Sequence, residues 1–177
     1  MYKTEKSKAD ISNPLYYRQV ELVINAPAEL IYNLIADLPR MGEWSPECYK
    51  SSWLNGATKA APGVQVRGTN KWRGMRWSRT AEIIVAEPGR EFAFQTIATR
   101  LFRDSTVWRY RLESKDGGGT LVTESFALTQ AWLPIRLLEE KGGRLEETPK
   151  NMLLTLERLK VHAEKLAATS NSAGISH

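Results

Sequence analysis

Cysteine and histidine are nearly absent from this chain: Cys48, His162 and His177 are the whole supply in 177 residues. A single cysteine excludes an internal disulfide and fits a reducing compartment. With both histidines near the C-terminal end, neither a zinc ligand set nor a Ser-His-Asp arrangement can be assembled. Cys48 has no histidine close to it in sequence and reads as a packed thiol, not a nucleophile. The chain also lacks a GxGxxG or P-loop phosphate cradle, and the glycines from Gly117 to Gly119 read as a hairpin turn, which speaks against nucleotide chemistry. We therefore expect neither a metal nor a cofactor. No run of about 18 apolar residues occurs, and the first ten residues are polar and charged, so the sequence predicts no membrane span, no secretory signal and a cytoplasmic location.

What is present is an ordinary globular composition, 42% hydrophobic and 25% charged, at a length suited to one domain. Residues 1–16 lack periodicity and read as a tail, 17–168 as the domain, and 169–177 as a second, disordered tail. The net charge is +5. Its basic residues gather in Arg67, Lys71, Arg73, Arg76 and Arg79, and again in Arg100, Arg103, Arg109 and Arg111. Such a set could serve nucleic acid or an acidic membrane surface. Because these residues alternate with apolar ones, the simpler reading is the solvated outer face of strands, and nucleic acid is not the expected partner.

Period-two alternation begins with Val20, Leu22 and Ile24, which predicts a strand. Pro27 suits the first turn of a helix carrying Leu30, Ile31, Leu34 and Ile35 at helical spacing, with Asn25 or Ala26 as cap. A second short helix is expected from Leu38 to Trp44. Six strands then follow at roughly 47–54, 63–74, 76–87, 90–99, 105–114 and 119–130, divided by turn residues such as Asn55-Gly56, Gly74 and Pro88-Gly89. Short turns make the neighbours antiparallel. After a loop or broken helix from Ala131 to Arg144, Thr148 reads as the cap and Pro149 as the first position of a long amphipathic helix bearing Met152, Leu153, Leu156, Leu159, Ala163 and Leu166. A helix starting near 136 and kinked at Pro149 is the other reading. The pattern is α+β: a seven-stranded curved antiparallel sheet wrapped around a long C-terminal helix, with two short helices after the first strand. Strong curvature would leave a gap between sheet and helix.

The stretch V-E-L-V-I-N-A-P-A-E-L-I-Y-N-L-I-A-D-L-P-R-M-G-E-W-S-P-E, from Val20 to Glu47, resembles the bacterial polyketide cyclase/dehydrase branch of the START-like (SRPBCC) superfamily. Similar phrases follow in G-T-N-K-W-R-G-M-R-W-S (Gly68 to Ser78), E-P-G-R-E-F-A-F (Glu87 to Phe94), T-V-W-R-Y-R-L-E (Thr106 to Glu113) and G-G-T-L-V-T-E-S-F (Gly118 to Phe126). The resemblance covers roughly residues 18–166. It implies a helix-grip fold around an internal cavity. The superfamily includes lipid carriers, hormone receptors and aromatic polyketide cyclases, so the resemblance implies a cavity and not a reaction.

Alternation says which side chains line that cavity. Val64, Val66, Gly68, Asn70 and Trp72 share one face; Trp108, Tyr110 and Leu112 another; and Val122, Glu124, Phe126 and Leu128 place a carboxylate inside. In 77–85 the more apolar set carries Arg79 inward with Trp77, unless a bulge reverses it. Glu47, Tyr49, Ser51 and Trp53 share a face. A carboxylate in an apolar pocket has a raised pKa and can serve as acid or base, which makes Glu124 the candidate catalytic residue, with Tyr110, Asn70 and Arg79 as polar helpers. The structural alternative is a buried ion pair between Glu124 and Arg79 or another basic residue. Trp72, Trp77, Trp108, Phe92, Phe94, Phe126, Tyr49, Met152, Leu156 and Leu159 are the candidate ligand wall. The expected partner is a hydrophobic small molecule, a lipid or a polyketide-like metabolite, held by a monomer or homodimer. The alternative function is a cofactor-independent cyclase or dehydratase; a third is docking through the basic outer face.

Overall fold

The computed structural model describes residues 13–100, 103–133 and 141–173. Among these residues seven strands form one sheet in which every pair is antiparallel: β1 (Tyr16–Ile24), β2 (Cys48–Trp53), β3 (Gln65–Trp72), β4 (Met75–Glu87), β5 (Glu91–Thr96), β6 (Ser105–Ser114) and β7 (Thr120–Gln130). Their spatial order is β1-β7-β6-β5-β4-β3-β2. Strands β2 to β7 are thus a meander, and β1 returns to pair with the last of them. Because β1 and β2 are opposite edges, the chain between them must cross the end of the sheet. It does so as helix α1 (Ala28–Ala36) and a 3-10 helix (Leu38–Glu43).

Local chemistry accounts for these elements. In β1, Val20, Leu22 and Ile24 turn inward while Gln19, Glu21 and Val23 are exposed, the alternation of a half-buried strand. The β3–β4 hairpin turns on Arg73 and Gly74, both at positive φ (45° and 84°), as a two-residue turn matching strand twist requires. Gly42 is required for a different reason: a Cβ there would lie 2.7 Å from the carbonyl oxygen of Tyr49, so the 3-10 helix packs directly on the β2 backbone.

The long helix, α2, runs Arg144–Ala173. It starts a turn before the predicted cap and includes 169–173, which the sequence reading assigned to a disordered tail. Thr148 is inside the helix, where its hydroxyl donates to the Arg144 carbonyl at 2.9 Å. Pro149 is also internal and has no N–H for the carbonyl of Leu145. The Tyr16 hydroxyl donates to that carbonyl instead, at 2.5 Å. A strand from the other end of the chain thus satisfies the acceptor the proline leaves. The buried seam of α2 is Met152, Leu156, Leu159 and Ala163, each at most 1% exposed, whereas Leu153 and Leu166 face outward at 39% and 45%. Of the loop or broken helix expected from Ala131 to Arg144, residues 134–140 lie outside the described residues; Trp132 and Leu133, which are described, are exposed.

Most basic residues of the strands face water, with Arg109 and Arg111 both paired to Glu91 on the outer face of the sheet. Arg79 is the exception and turns inward. The irregularity in β4 falls between Ile83 and Val85, beyond Arg79, so it does not reverse the strand there.

Candidate functional site

The inner face of the sheet and helix α2 enclose a cavity of about 590 Å³. Its wall is largely apolar, built from Leu38, Val66, Phe94, Trp77, Trp108 and Met152. Among its polar lining residues, which include Asn70, Thr96 and Thr106, three groups hold carboxylates.

The first is the pair Tyr110 and Glu124. The two residues are cross-strand partners on β6 and β7, and alternation points both inward. Tyr110 Oη donates to Glu124 Oε1 at 2.9 Å; Oε2 has no hydrogen-bond partner among the described residues. Burial disfavours the ionised carboxylate and raises its pKa to about 8, against a smaller lowering by the tyrosine hydrogen bond. Burial, and the carboxylate beside it, push the Tyr110 hydroxyl well above its ordinary value. At neutral pH Glu124 is therefore chiefly a carboxylic acid. Its proton belongs on Oε2, since Oε1 is accepting from Tyr110. The site presents a hydrogen-bond donor, and a transferable proton, into an apolar space.

The second is Arg79 with Asp104. Arg79 Nη1 donates to Asp104 Oδ2 at 2.5 Å and Nη2 to the Asp104 carbonyl at 2.9 Å. Both side chains are only 11% exposed. The ion pair expected between Glu124 and Arg79 is therefore not formed. The β4 register explains why: Arg79 lies two residues beyond Ala81, the residue opposite Thr96, whereas Tyr110 and Glu124 lie opposite Phe92.

The third is a cluster beside the beginning of α2. Glu47 accepts from Arg144 Nη2 at 2.9 Å and from Asn151 Nδ2 at 3.0 Å. This ties α2 to the residue that precedes β2, across the cavity rim. Arg144 also lies over the ring of Trp77.

All four predicted polar residues, Asn70, Arg79, Tyr110 and Glu124, line the cavity, as do Trp77, Trp108, Phe94 and Met152. The other wall candidates lie elsewhere. Phe92, Phe126, Leu156 and Leu159 are at most 1% exposed and sit in the core behind the wall; period two put them on the right face, but neighbouring side chains cover them. Trp72 donates its indole N–H to Glu147 at 2.7 Å, at the side of α2. Tyr49 is 40% exposed, because a register shift between Cys48 and Lys50 breaks the alternation that grouped it with Glu47 and Ser51. Cys48 turns inward, and burial pushes its thiol up to about 11, as expected for a packed thiol. Asp104, Arg144 and Asn151 were not foreseen. Asp104 stands in a loop with no periodicity, and Arg144 precedes the helix start read at Thr148, though not the alternative start near 136.

Fold and cavity together define a START-like helix-grip protein. The aromatase/cyclase Zhui from Streptomyces sp. R1128 is similar at 20% identity and a TM-score of 0.65, with 85% of this chain and 95% of that one covered. A START superfamily protein from Mycobacterium smegmatis matches at 16% identity and 0.63, covering 85% and 98%. Ginseng (Panax ginseng) major latex-like protein 151 matches at 14% and 0.61, covering 84% and 97%. No curated protein matches the sequence. The chain belongs to the family described as polyketide cyclase / dehydrase and lipid transport, whose profile matches residues 24–149.

Proposed function

We propose that this protein binds a hydrophobic small molecule, a lipid or an aromatic polyketide-like metabolite, in the cavity between sheet and α2, and that Glu124 holds an oxygen of that molecule. One observation carries the reading: a carboxyl group buried in an apolar cavity has one oxygen held by Tyr110 and the other without a partner among the described residues. A buried polar atom left unmatched is costly. A ligand carbonyl accepting from Glu124 would remove that cost, and the apolar wall would supply the rest of the affinity.

The same geometry supports a second reading, a cofactor-independent cyclase or dehydratase. An acid with a pKa of about 8 can protonate a developing alkoxide or enolate near neutral pH, and the cavity would fold the chain that reacts. The chemistry would need only the proton of Glu124 and its return from the substrate. Family membership accommodates both readings, since the family's description names cyclases and lipid transport together.

Native mass spectrometry of the purified protein, followed by extraction, identifies any retained compound. Titration with an aromatic ketone then tests the role of Glu124. Affinity should fall by about tenfold between pH 6 and pH 9.5, as the acid ionises and its donor is lost. Glu124→Gln, which keeps an N–H donor, should bind equally at both pH values. Affinity independent of pH in the unsubstituted protein would sink the assignment. Saturable turnover lost in Glu124→Gln, with binding retained, would select the enzyme.

A further inference from the structure

Among the described residues a second hollow lies apart from the cavity and shares no lining residue with it. It is a groove of about 450 Å³, a size suited to a small molecule. Tyr32, Asn33, Ala36 and Asp37 form one wall, because spacings of one, four and five positions fall on one face of α1. The loop between β2 and β3 forms the facing wall with Lys59. Trp53 and Ala86, both packed on the core, add apolar surface between the walls.

Three polar side chains of this groove have bonding capacity to spare. Tyr32 is 6% exposed, and its hydroxyl has no hydrogen-bond partner among the described residues. Burial, with Glu29 beside it, raises its pKa, so it is a neutral hydroxyl that can donate or accept. Asp37, half-buried, directly follows α1, and among the described residues its carboxylate has neither an ion pair nor a hydrogen bond. Arg40, whose charge acts on it, gives two hydrogen bonds to Glu43 instead. Asp37 also sets a negative charge at the negative end of the helix dipole, and no basic residue stands in the last turn of α1. Lys59 is exposed and likewise has no partner among the described residues. Two opposite charges thus line one groove and do not meet.

We infer that this groove is a second binding site, for a zwitterionic amino acid with an apolar side chain. Its ammonium lies between Asp37 and the Tyr32 hydroxyl, where it answers the carboxylate and the helix end together. Its carboxylate meets Lys59, and its side chain packs on Trp53 and Ala86. A simple amine or a simple acid would match one charge and leave the other. The inference does not rest on the role of the cavity, and neither falls with the other.

Three probes separate the two charges: L-phenylalanine, N-acetyl-L-phenylalanine, which lacks the ammonium, and L-phenylalaninamide, which lacks the carboxylate. Calorimetric titration of the unsubstituted protein at neutral pH should show the amino acid bound about tenfold more tightly than either derivative. In Asp37→Asn its advantage over the N-acetyl compound should shrink to about twofold or less, while its advantage over the amide persists. Lys59→Ala should do the reverse. Backbone amide shifts in an NMR titration should place phenylalanine at residues 32–37 and 58–62. Shifts confined to Thr106, Trp108 and Tyr110 would put it in the cavity and overturn the inference. Equal affinity for the three probes overturns it, as does a failure of phenylalanine to saturate the protein at millimolar concentration. A preference that neither substitution alters overturns it too. If the variants do not fold, the three affinities and the amide shifts of the unsubstituted protein decide alone.

Discussion

Glu124 shows at the scale of one residue how burial sets chemistry. The unfolded chain holds this carboxyl at its ordinary pKa of 4.5, and the fold raises it to about 8. Between those values the native state keeps a proton that the unfolded state releases, so stability from this residue is complete below pH 4.5 and is lost as pH rises through 8. Its slope is at most about 1.4 kcal/mol per pH unit. Urea denaturation of the protein and of Glu124→Gln at pH 5, 6, 7 and 8 should show the variant gaining steadily on its parent, because a neutral amide has nothing to ionise. A constant difference would mean that the carboxyl is ionised when buried. The inward position of Glu124 was legible in the sequence, because V-T-E-S-F alternates cleanly. Its partner was not. A buried acid and an inward arginine suggested one pair, whereas Arg79 bonds Asp104 and Glu124 bonds Tyr110. Nothing in a single sequence says at what level of a sheet two strands place their side chains.

At the scale of elements, α2 shows why the first of two readings failed and the other, with Pro149 inside a helix that starts earlier, came nearer. Thr148-Pro149 is a good helix start by local rules, and the proline indeed lacks an acceptor's donor within the helix. The helix nevertheless begins at Arg144, since the Tyr16 hydroxyl serves the carbonyl of Leu145 from strand β1. Tyr16→Phe should therefore cost about 1 kcal/mol. In a Pro149→Ala background, where a backbone N–H can reach the same carbonyl, the cost should shrink by half or more. A double-mutant cycle in urea measures this directly; additive effects would show that the tyrosine bond and the missing proline donor are unconnected. The strand boundaries were read more closely, because Asn55-Gly56, Arg73-Gly74 and Gly89 all take positive φ, and turn chemistry is local.

For the molecule as a whole, the cavity makes stability depend on occupancy. A ligand present at a hundred times its dissociation constant stabilises the native state by about 2.7 kcal/mol, and in a chain of this size that raises Tm by roughly 5–10 °C. Glu47→Ala would leave Arg144 and Asn151 without their shared acceptor at the rim. Ligand should then dissociate several-fold faster, while Trp108 and Glu124, which Glu47 does not contact, keep their places. Stopped-flow release monitored by tryptophan fluorescence checks this, and unchanged release would mean that the rim does not control exit.

The sequence by itself determined the succession of strands and helices, the antiparallel meander and the face on which Tyr110, Glu124, Trp108 and Asn70 stand, because periodicity and turn residues act over a few positions. Only the tertiary structure decided which acid meets which base, which aromatic side chains are wall and which are core, and where α2 begins. Those outcomes depend on the order β1-β7-β6-β5-β4-β3-β2, on register shifts such as the one beside Tyr49, and on contacts such as Tyr16 with Leu145, 129 positions apart, which no local pattern encodes.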